Sequence, residues 1–297
     1  LATDTSEPAR LATEARSEAT HDIDLISVED GLVLLAGEFR RSFDAFQGAA
    51  AELAPVVYAV VGSLRRGNTV HLFGAGTSGR LAALDAAEIP PTFGLAPELF
   101  TVHLAGGAAA LTTAVEDAED DRDEGARAGG RVRPGDVAIG VTASGRTPYV
   151  LAALDAAGGR GAYTALIACN PPEPSAVDCV VTLPTGPEPI AGSTRLNAAT
   201  AQKLALNAVS TLAMVHLGRT YSNLMVCLQP NNTKVRQRQF QLLSDLTGAP
   251  APEVEAALVA ADGAGGVALA MLLRGWDRDR AQRALDRGTP LRPLVGE

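Results

Sequence analysis

With 297 residues the chain has room for one large α/β domain plus an appendage, or for two domains. A formal charge of −9 excludes the broad basic face that nucleic acid or an anionic membrane requires, leaving only a local basic pocket. Hydrophobic residues at 46% against 20% charged exclude a disordered chain, and aromatics at 4% leave the core to Ala, Leu and Val.

Residues 1–12 are polar and aperiodic, which predicts a flexible N-terminus. Ser27, with Asp30 three residues on, reads as a helix start, and helical spacing over 32–46 and 50–64 predicts two helices before the first strand. Strand-like apolar runs follow at 70–73, 100–104, 137–141, 164–169 and 180–183, with helical segments between most of them. Continuous apolar strands alternating with helices predict an α/β fold, a doubly wound parallel five-stranded sheet covered by helices on both faces. In such a fold the ligand lies at the carboxyl ends of the strands. A long periodic helix reaches about residue 217, and another covers 236–246. Gly248-Ala-Pro-Ala-Pro252 then breaks the chain. Helical stretches at 253–261, 266–273 and 278–287 predict a small three-helix domain over 248–297, after a main domain over 13–247. The chain opens with no charged-then-apolar signal and has no uninterrupted apolar run of about 18 residues, so a cytoplasmic protein is expected. Cys169, Cys179 and Cys227 have no CxxC spacing and read as small hydrophobes rather than a disulfide framework or a zinc site.

The chemistry concentrates at three turns. The first strand runs into Gly74-Ala-Gly-Thr-Ser-Gly-Arg80, where Thr77, Ser78 and Gly79 stand at the start of a helix. A helix start offers unpaired N–H groups and the positive end of the macrodipole, which suits a phosphate. That helix is expected to stop at Pro90-Pro91, which puts Glu88 at its negative end, a setting suited to a carboxyl that must donate a proton. After the third strand, Thr142-Ala-Ser-Gly-Arg-Thr-Pro-Tyr149 repeats the pattern with Ser144, Gly145 and Thr147, and Pro148 fits the first turn of the next helix. Hydroxyls at helix starts are usually caps, but two such turns at corresponding sheet positions point to a phosphate cradle. A third loop from Gly192 brings Ser193 and Lys203 toward the same region.

Gly74, Gly76 and Gly79 match the G-x-G-x-x-G dinucleotide pattern, but the second strand ends in Leu104-Ala-Gly-Gly107 without the acidic residue that a ribose needs. The four histidines are too scattered for a metal motif, and neither Ser78 nor Ser144 stands in a nucleophile elbow. The acidic run Glu116-Asp-Ala-Glu-Asp-Asp-Arg-Asp-Glu124 reads as the solvated face of a helix. Its Glu119 lies close enough to the second strand's carboxyl end to turn inward.

Taken together, Thr13-Glu14 with Asp22-Ile-Asp24, Gly74 to Arg80, Leu84-Asp-Ala-Ala-Glu-Ile-Pro-Pro-Thr-Phe-Gly94, Ala114-Val-Glu-Asp-Ala-Glu-Asp120, Ala143-Ser-Gly-Arg-Thr-Pro-Tyr149 and Thr200-Ala-Gln-Lys203 resemble the N-acetylmuramic acid 6-phosphate etherases. The resemblance spans Thr13 to the C-terminus. It implies a sugar isomerase (SIS) fold related to the glucokinase regulatory protein, with a helical C-terminal bundle. The implied reaction uses no cofactor and removes the D-lactyl ether of muramic acid 6-phosphate, as in peptidoglycan recycling. Glu88 matches the family's acid and Glu119 its second carboxylate, a base. The resemblance also implies a homodimer with sites near the interface. Two positions depart from the family pattern: Asn197 stands where a lysine is usual and Cys227 where an aspartate is usual. A divergent paralogue acting on another sugar phosphate, an aldose–ketose isomerase and a non-catalytic sugar-phosphate-binding regulator are the other readings.

Overall fold

The computed structural model describes residues 11–173, 175–228, 230 and 233–292. The expectation of a flexible end over 1–12 falls almost wholly outside them. In chain order the regular elements are α1 (Val28–Glu38), α2 (Arg40–Gly48), α3 (Ala50–Arg65), β1 (Val70–Gly74), α4 (Gly76–Phe93), β2 (Phe100–Leu104), α5 (Arg122–Gly129), β3 (Val137–Thr142), α6 (Pro148–Gly159), β4 (Tyr163–Ala168), β5 (Cys179–Thr182), α7 (Asn197–His216), α8 (Thr233–Thr247), α9 (Ala251–Ala260), α10 (Gly265–Arg274) and α11 (Arg278–Asp286). No single helix among the described residues is long and apolar enough to cross a membrane. The chain divides into two compact units, one made of Leu1–Val56, Val70–Leu84 and Val102–Ala208, the other of Val57–Thr69, Asp85–Thr101 and Val209–Glu297.

The first unit holds the sheet, in the order β2-β1-β3-β4-β5. β1 pairs with β3, β3 with β4 and β4 with β5, all parallel. All five expected strands are present within a residue or two of their expected ends. β1 and β3 are buried at every position, as strands covered on both faces must be. The order reverses direction between β1 and β3, so the crevice outside their carboxyl ends is the place for a ligand. Phe73, Tyr149, Leu154 and Leu166 join one face of the sheet to α6 in a continuous core.

At the amino ends of β1 and β3 lies a partly buried polar row that reaches across to His103 of β2. His71 Nε2 faces Asp136 Oδ2 at 3.3 Å, and His71 Nδ1 meets His103 Nε2 at 3.0 Å. Asp136 also accepts the Arg133 N–H at 2.8 Å. A carboxylate accepts from His71 Nε2–H, which leaves His71 Nδ1 to accept from His103. Burial pulls the His103 ring down to about 4 and the His71 ring below its ordinary value. Both rings therefore hold a proton less readily folded than unfolded, so their contribution is complete above pH 6.5 and is lost as pH falls from 6.5 toward 4. We expect acidification across that window to remove about 2 kcal/mol through His103, after discounting for its partial exposure. Denaturant titrations at pH 7 and pH 4.5, compared between the wild type and His103→Gln, should show the smaller loss in the variant.

In the second unit Val226, Leu243, Val254, Leu269 and Leu285 share one cluster, so α8 packs with the three C-terminal helices α9, α10 and α11. Three expectations need correction. The preface to the first strand is three helices rather than two: α1 starts at the Ser27 cap, which accepts the Asp30 N–H at 3.1 Å, and the chain turns between α1 and α2 at Phe39. α4 does not stop at Pro90-Pro91 but runs through both to Phe93. The two prolines forgo their own N–H groups, yet the Gly94 N–H closes on Pro90 O at 2.9 Å, and Gly94, at φ +65°, ends the helix in the left-handed region. The acidic run is not one helix: Asp117 has φ +60°, residues 118–120 form a short 3-10 turn, and Asp121 caps α5 by accepting the Glu124 N–H at 2.8 Å.

Candidate active site

The turn after β1 begins with a close approach of backbone to backbone. A Cβ on Gly74 would lie 2.7 Å from the Gly79 Cα, and one on Gly79 would lie 2.3 Å from a Leu104 methyl. Only glycines let the chain fold back so tightly, and this aims the first turn of α4 at the carboxyl end of the sheet. The turn after β3 has the same need: Gly145 lies at φ +74° with its Cα facing Pro172. There Thr142 Oγ1 lies 2.7 Å from Thr147 Oγ1 and 3.3 Å from Ser144 Oγ, while Ser144 Oγ accepts the Arg146 N–H at 3.1 Å.

Between these turns opens a cleft of about 640 Å³. Its walls include Thr77 and Ser78 from the first turn, Ser144 and Thr147 from the second, Gly192 and Thr194 from the third loop, and Glu119 from the acidic run. These hydroxyls and one expected carboxylate thus come together. Gly79 and Gly145 shape the two turns but do not line the space, and Ser193, Lys203 and Glu88 are not among the lining residues. Lys203 is exposed on α7, and Glu88 is exposed on α4. Because α4 continues to Phe93, Glu88 stands more than one turn short of the helix end, so the end-of-helix argument for a proton donor there does not hold.

Several lining residues went unrecognised in the sequence. Arg80 and Arg146 stand on the wall. They follow the two cradle serines in the same tripeptide, Ser78-Gly79-Arg80 and Ser144-Gly145-Arg146, a repeat that could have marked them. Arg80 donates from Nε to Ala110 O at 2.8 Å and from Nη2 to Thr113 O at 3.3 Å, fastening the loop that leads to Glu119. Glu14 lies beside Gly192, and the Gly192 N–H bonds to Thr13 O at 3.0 Å, so the N-terminal segment completes the rim. No local pattern announces that contact, since it joins residues far apart in sequence.

Around the entry to α7, Glu188 is fully buried and accepts the Asn197 and Ala198 N–H groups at 2.7 and 2.9 Å. Burial raises its carboxyl above the ordinary range, with the two N–H groups pulling the other way. Asn197 is also fully buried, its Oδ1 taking the Ser42 hydroxyl at 3.3 Å while its Nδ2 finds no acceptor. Asn197 does not line the cleft, and Cys227 lines a separate hollow of about 230 Å³ in the second unit.

The arrangement can seat a phosphate on two helix starts with four hydroxyls and two guanidiniums close by, and can set a carboxylate across from it. Residues 52–158 match the glucokinase regulatory protein N-terminal SIS domain. A phosphoheptose isomerase structure from Francisella tularensis, 17% identical, covers 64% of this chain and 98% of its own with a TM-score of 0.47. Much closer in sequence is the N-acetylmuramic acid 6-phosphate etherase of Thermobifida fusca, 48% identical over 90% of this chain and 88% of its own length. The etherase of Cutibacterium acnes is 43% identical over 96% of this chain and 95% of its own. Similarity of that depth across the whole sheet, both hydroxyl turns and the C-terminal helices means that the chain belongs to the N-acetylmuramic acid 6-phosphate etherase family.

Proposed function

We propose that this chain is a carbon–oxygen lyase that converts N-acetylmuramic acid 6-phosphate to N-acetylglucosamine 6-phosphate and D-lactate, serving cell-wall sugar recycling. One observation carries the reading: two hydroxyl-bearing helix starts and Glu119 line a single cleft. The phosphate anchors at Thr77, Ser78, Ser144 and Thr147, which fixes the sugar's distance from Glu119. In the ring-opened sugar the C1 aldehyde acidifies the C2 proton, and Glu119 as base removes it. The C3–O bond to the lactyl group breaks as an acid protonates the departing oxygen. Water then adds at C3 of the unsaturated aldehyde and restores the sugar. Glu88 is assigned as that acid because it matches the family's acid. Ser193 on the third loop and Lys203 on α7 keep a supporting role, and 13–247 is the sugar-phosphate domain with 248–297 appended.

We place the protein in the cytoplasm as a homodimer with the site near the interface. Cys169, Cys179 and Cys227 are free thiols, which suits a reducing compartment. Leu25, Val28, Leu32 and Val33, at the start of α1 and along it, are 64–78% exposed, an apolar stripe too large to leave to water without cost.

The test is turnover of N-acetylmuramic acid 6-phosphate in water enriched in oxygen-18, followed by mass spectrometry, with Glu88→Gln run alongside. Lactate should be released with the heavy oxygen entering the sugar at C3, and the variant should lose the reaction. Heavy oxygen in the lactate would place cleavage on the other side of the ether and overturn the mechanism. Binding without turnover would favour the regulatory reading.

A further inference from the structure

The two cradle serines are not in equivalent states. Ser144 Oγ already accepts the Arg146 N–H, so its own proton can point at a ligand. Ser78 Oγ instead donates to Gln202 Oε1 at 2.9 Å, inside the protein. A hydroxyl has one proton. While Gln202 holds it, Ser78 shows the cleft only lone pairs, and an ionised phosphate oxygen brings only lone pairs of its own.

Gln202 sits in the second turn of α7 and is 1% exposed. Its Nε2 points at Cys169 Sγ, 3.8 Å away, just beyond the end of β4. The Cys169 thiol in turn donates to Ala198 O at 3.6 Å. Burial pushes that thiol up to about 12, so it keeps its proton at any physiological pH. This chain of four groups has a second arrangement, with two internal pairings in place of three and the third left to a ligand in the cleft. If the Gln202 amide turns over, Nε2–H donates to Ser78 Oγ, Oε1 faces Cys169, and the thiol gives its proton to Oε1 instead of Ala198 O. Ser78's proton is then released to the cleft.

We propose that Gln202 is a positioning residue for the phosphate site, its amide turning over on ligand binding so that Ser78 becomes a donor, with the Cys169 thiol supplying the hydrogen bond that the turned amide needs. No proton is transferred and no covalent bond is made; three hydrogen bonds exchange partners. The turned state is favoured only when an acceptor waits in the cleft, because Ser78's released proton otherwise has nowhere to go. The proposal rests on the sugar-phosphate reading of the cleft and adds a mechanism for its first contact.

The experiment measures the affinity of N-acetylglucosamine 6-phosphate by calorimetry and the KM and kcat of lactate release for Gln202→Glu. Measured at pH 8 to keep the buried carboxyl ionised, Glu at this position accepts only, so Ser78 stays locked inward. Affinity should fall tenfold or more, with KM rising far more than kcat falls. The same change in a Ser78→Ala background should add little. If Gln202→Glu weakens binding as much there, its negative charge alone is responsible and the proposal fails. Equal affinity in wild type and Gln202→Glu also overturns it, whereas a wild type that does not bind the sugar phosphate overturns the reading of the cleft itself. Should Gln202→Glu not fold, Cys169→Ala answers the same question. It removes the donor for the turned amide and only a weak sulfur acceptor, at 3.8 Å, for the unturned one, so binding should weaken about fivefold with Ser78 present and not at all with Ser78→Ala. Equal weakening in both backgrounds would overturn the proposal.

Discussion

Glu119→Gln is expected to lower kcat for lactate release by about 10²–10⁴-fold, the usual contribution of a positioned general base, while KM changes by less than about threefold. The amide keeps the size of the carboxyl and its place on the cleft wall beside Asp120, so the hydroxyl turns that line the same cleft are left unchanged. What disappears is the group that can take the C2 proton. Two measurements check this: steady-state kinetics with N-acetylmuramic acid 6-phosphate, and exchange of the C2 proton of the product with deuterated water. Both should collapse together. If exchange survives while lactate release is lost, another group is the base and Glu119 acts later, on the leaving oxygen or the incoming water. Glu88→Gln provides the contrast, since loss of the acid should leave C2 exchange in place while ether cleavage stops.

Glu119 also shows where the sequence was readable and where it was not. The strands were legible because β1 and β3 are buried on both faces and are apolar at most positions, His71 and Thr142 excepted. The two hydroxyl-bearing glycine turns were legible because tight turns onto helix starts demand glycine and favour hydroxyls. Glu119 stood in a run that reads as a solvated helix, and only its closeness to the second strand's carboxyl end and the family resemblance singled it out. What separates it from its neighbours is backbone conformation: Asp117 in the left-handed region and the short turn over 118–120 swing it inward before Asp121 begins α5. Charge patterning carries no record of that. The path of α4 through Pro90 and Pro91 was missed for a related reason, since proline punctuates a helix only when the cap that follows cannot compensate, and Gly94 does. The rim formed by Glu14 and Gly192 depends on tertiary pairing alone.

The largest effect on stability should come from two glycines that sequence reading passes over. On α5, Gly125 and Gly129 are one turn apart and face the backbone of α6. A Cβ on Gly125 would lie 2.2 Å from Tyr149 O, and one on Gly129 2.1 Å from Ala153 O. In each case the obstacle is main chain, which cannot rotate aside as a side chain can. Gly129→Ala therefore forces α5 off α6, and overpacking of this kind costs about 3 kcal/mol, a large share of the 5–15 kcal/mol that holds a domain folded. Gly129→Leu should not fold. Gly159→Ala is the control, because a Cβ at the end of α6 meets nothing within 4 Å and φ there is not positive; removing backbone freedom from the unfolded chain should stabilise it by up to about 1 kcal/mol. Denaturant titrations of the three variants at pH 7.5 test the ordering, and an unchanged midpoint in Gly129→Ala would sink the close-packing argument. The same contact bears on catalysis. α6 carries Thr147 at its N-terminus, and α5 follows directly from the turn that holds Glu119. The spacing between Thr147 and Glu119 is therefore set by how closely these two helices lie, so with the roles proposed for them kcat in Gly129→Ala should fall more than the folded fraction does.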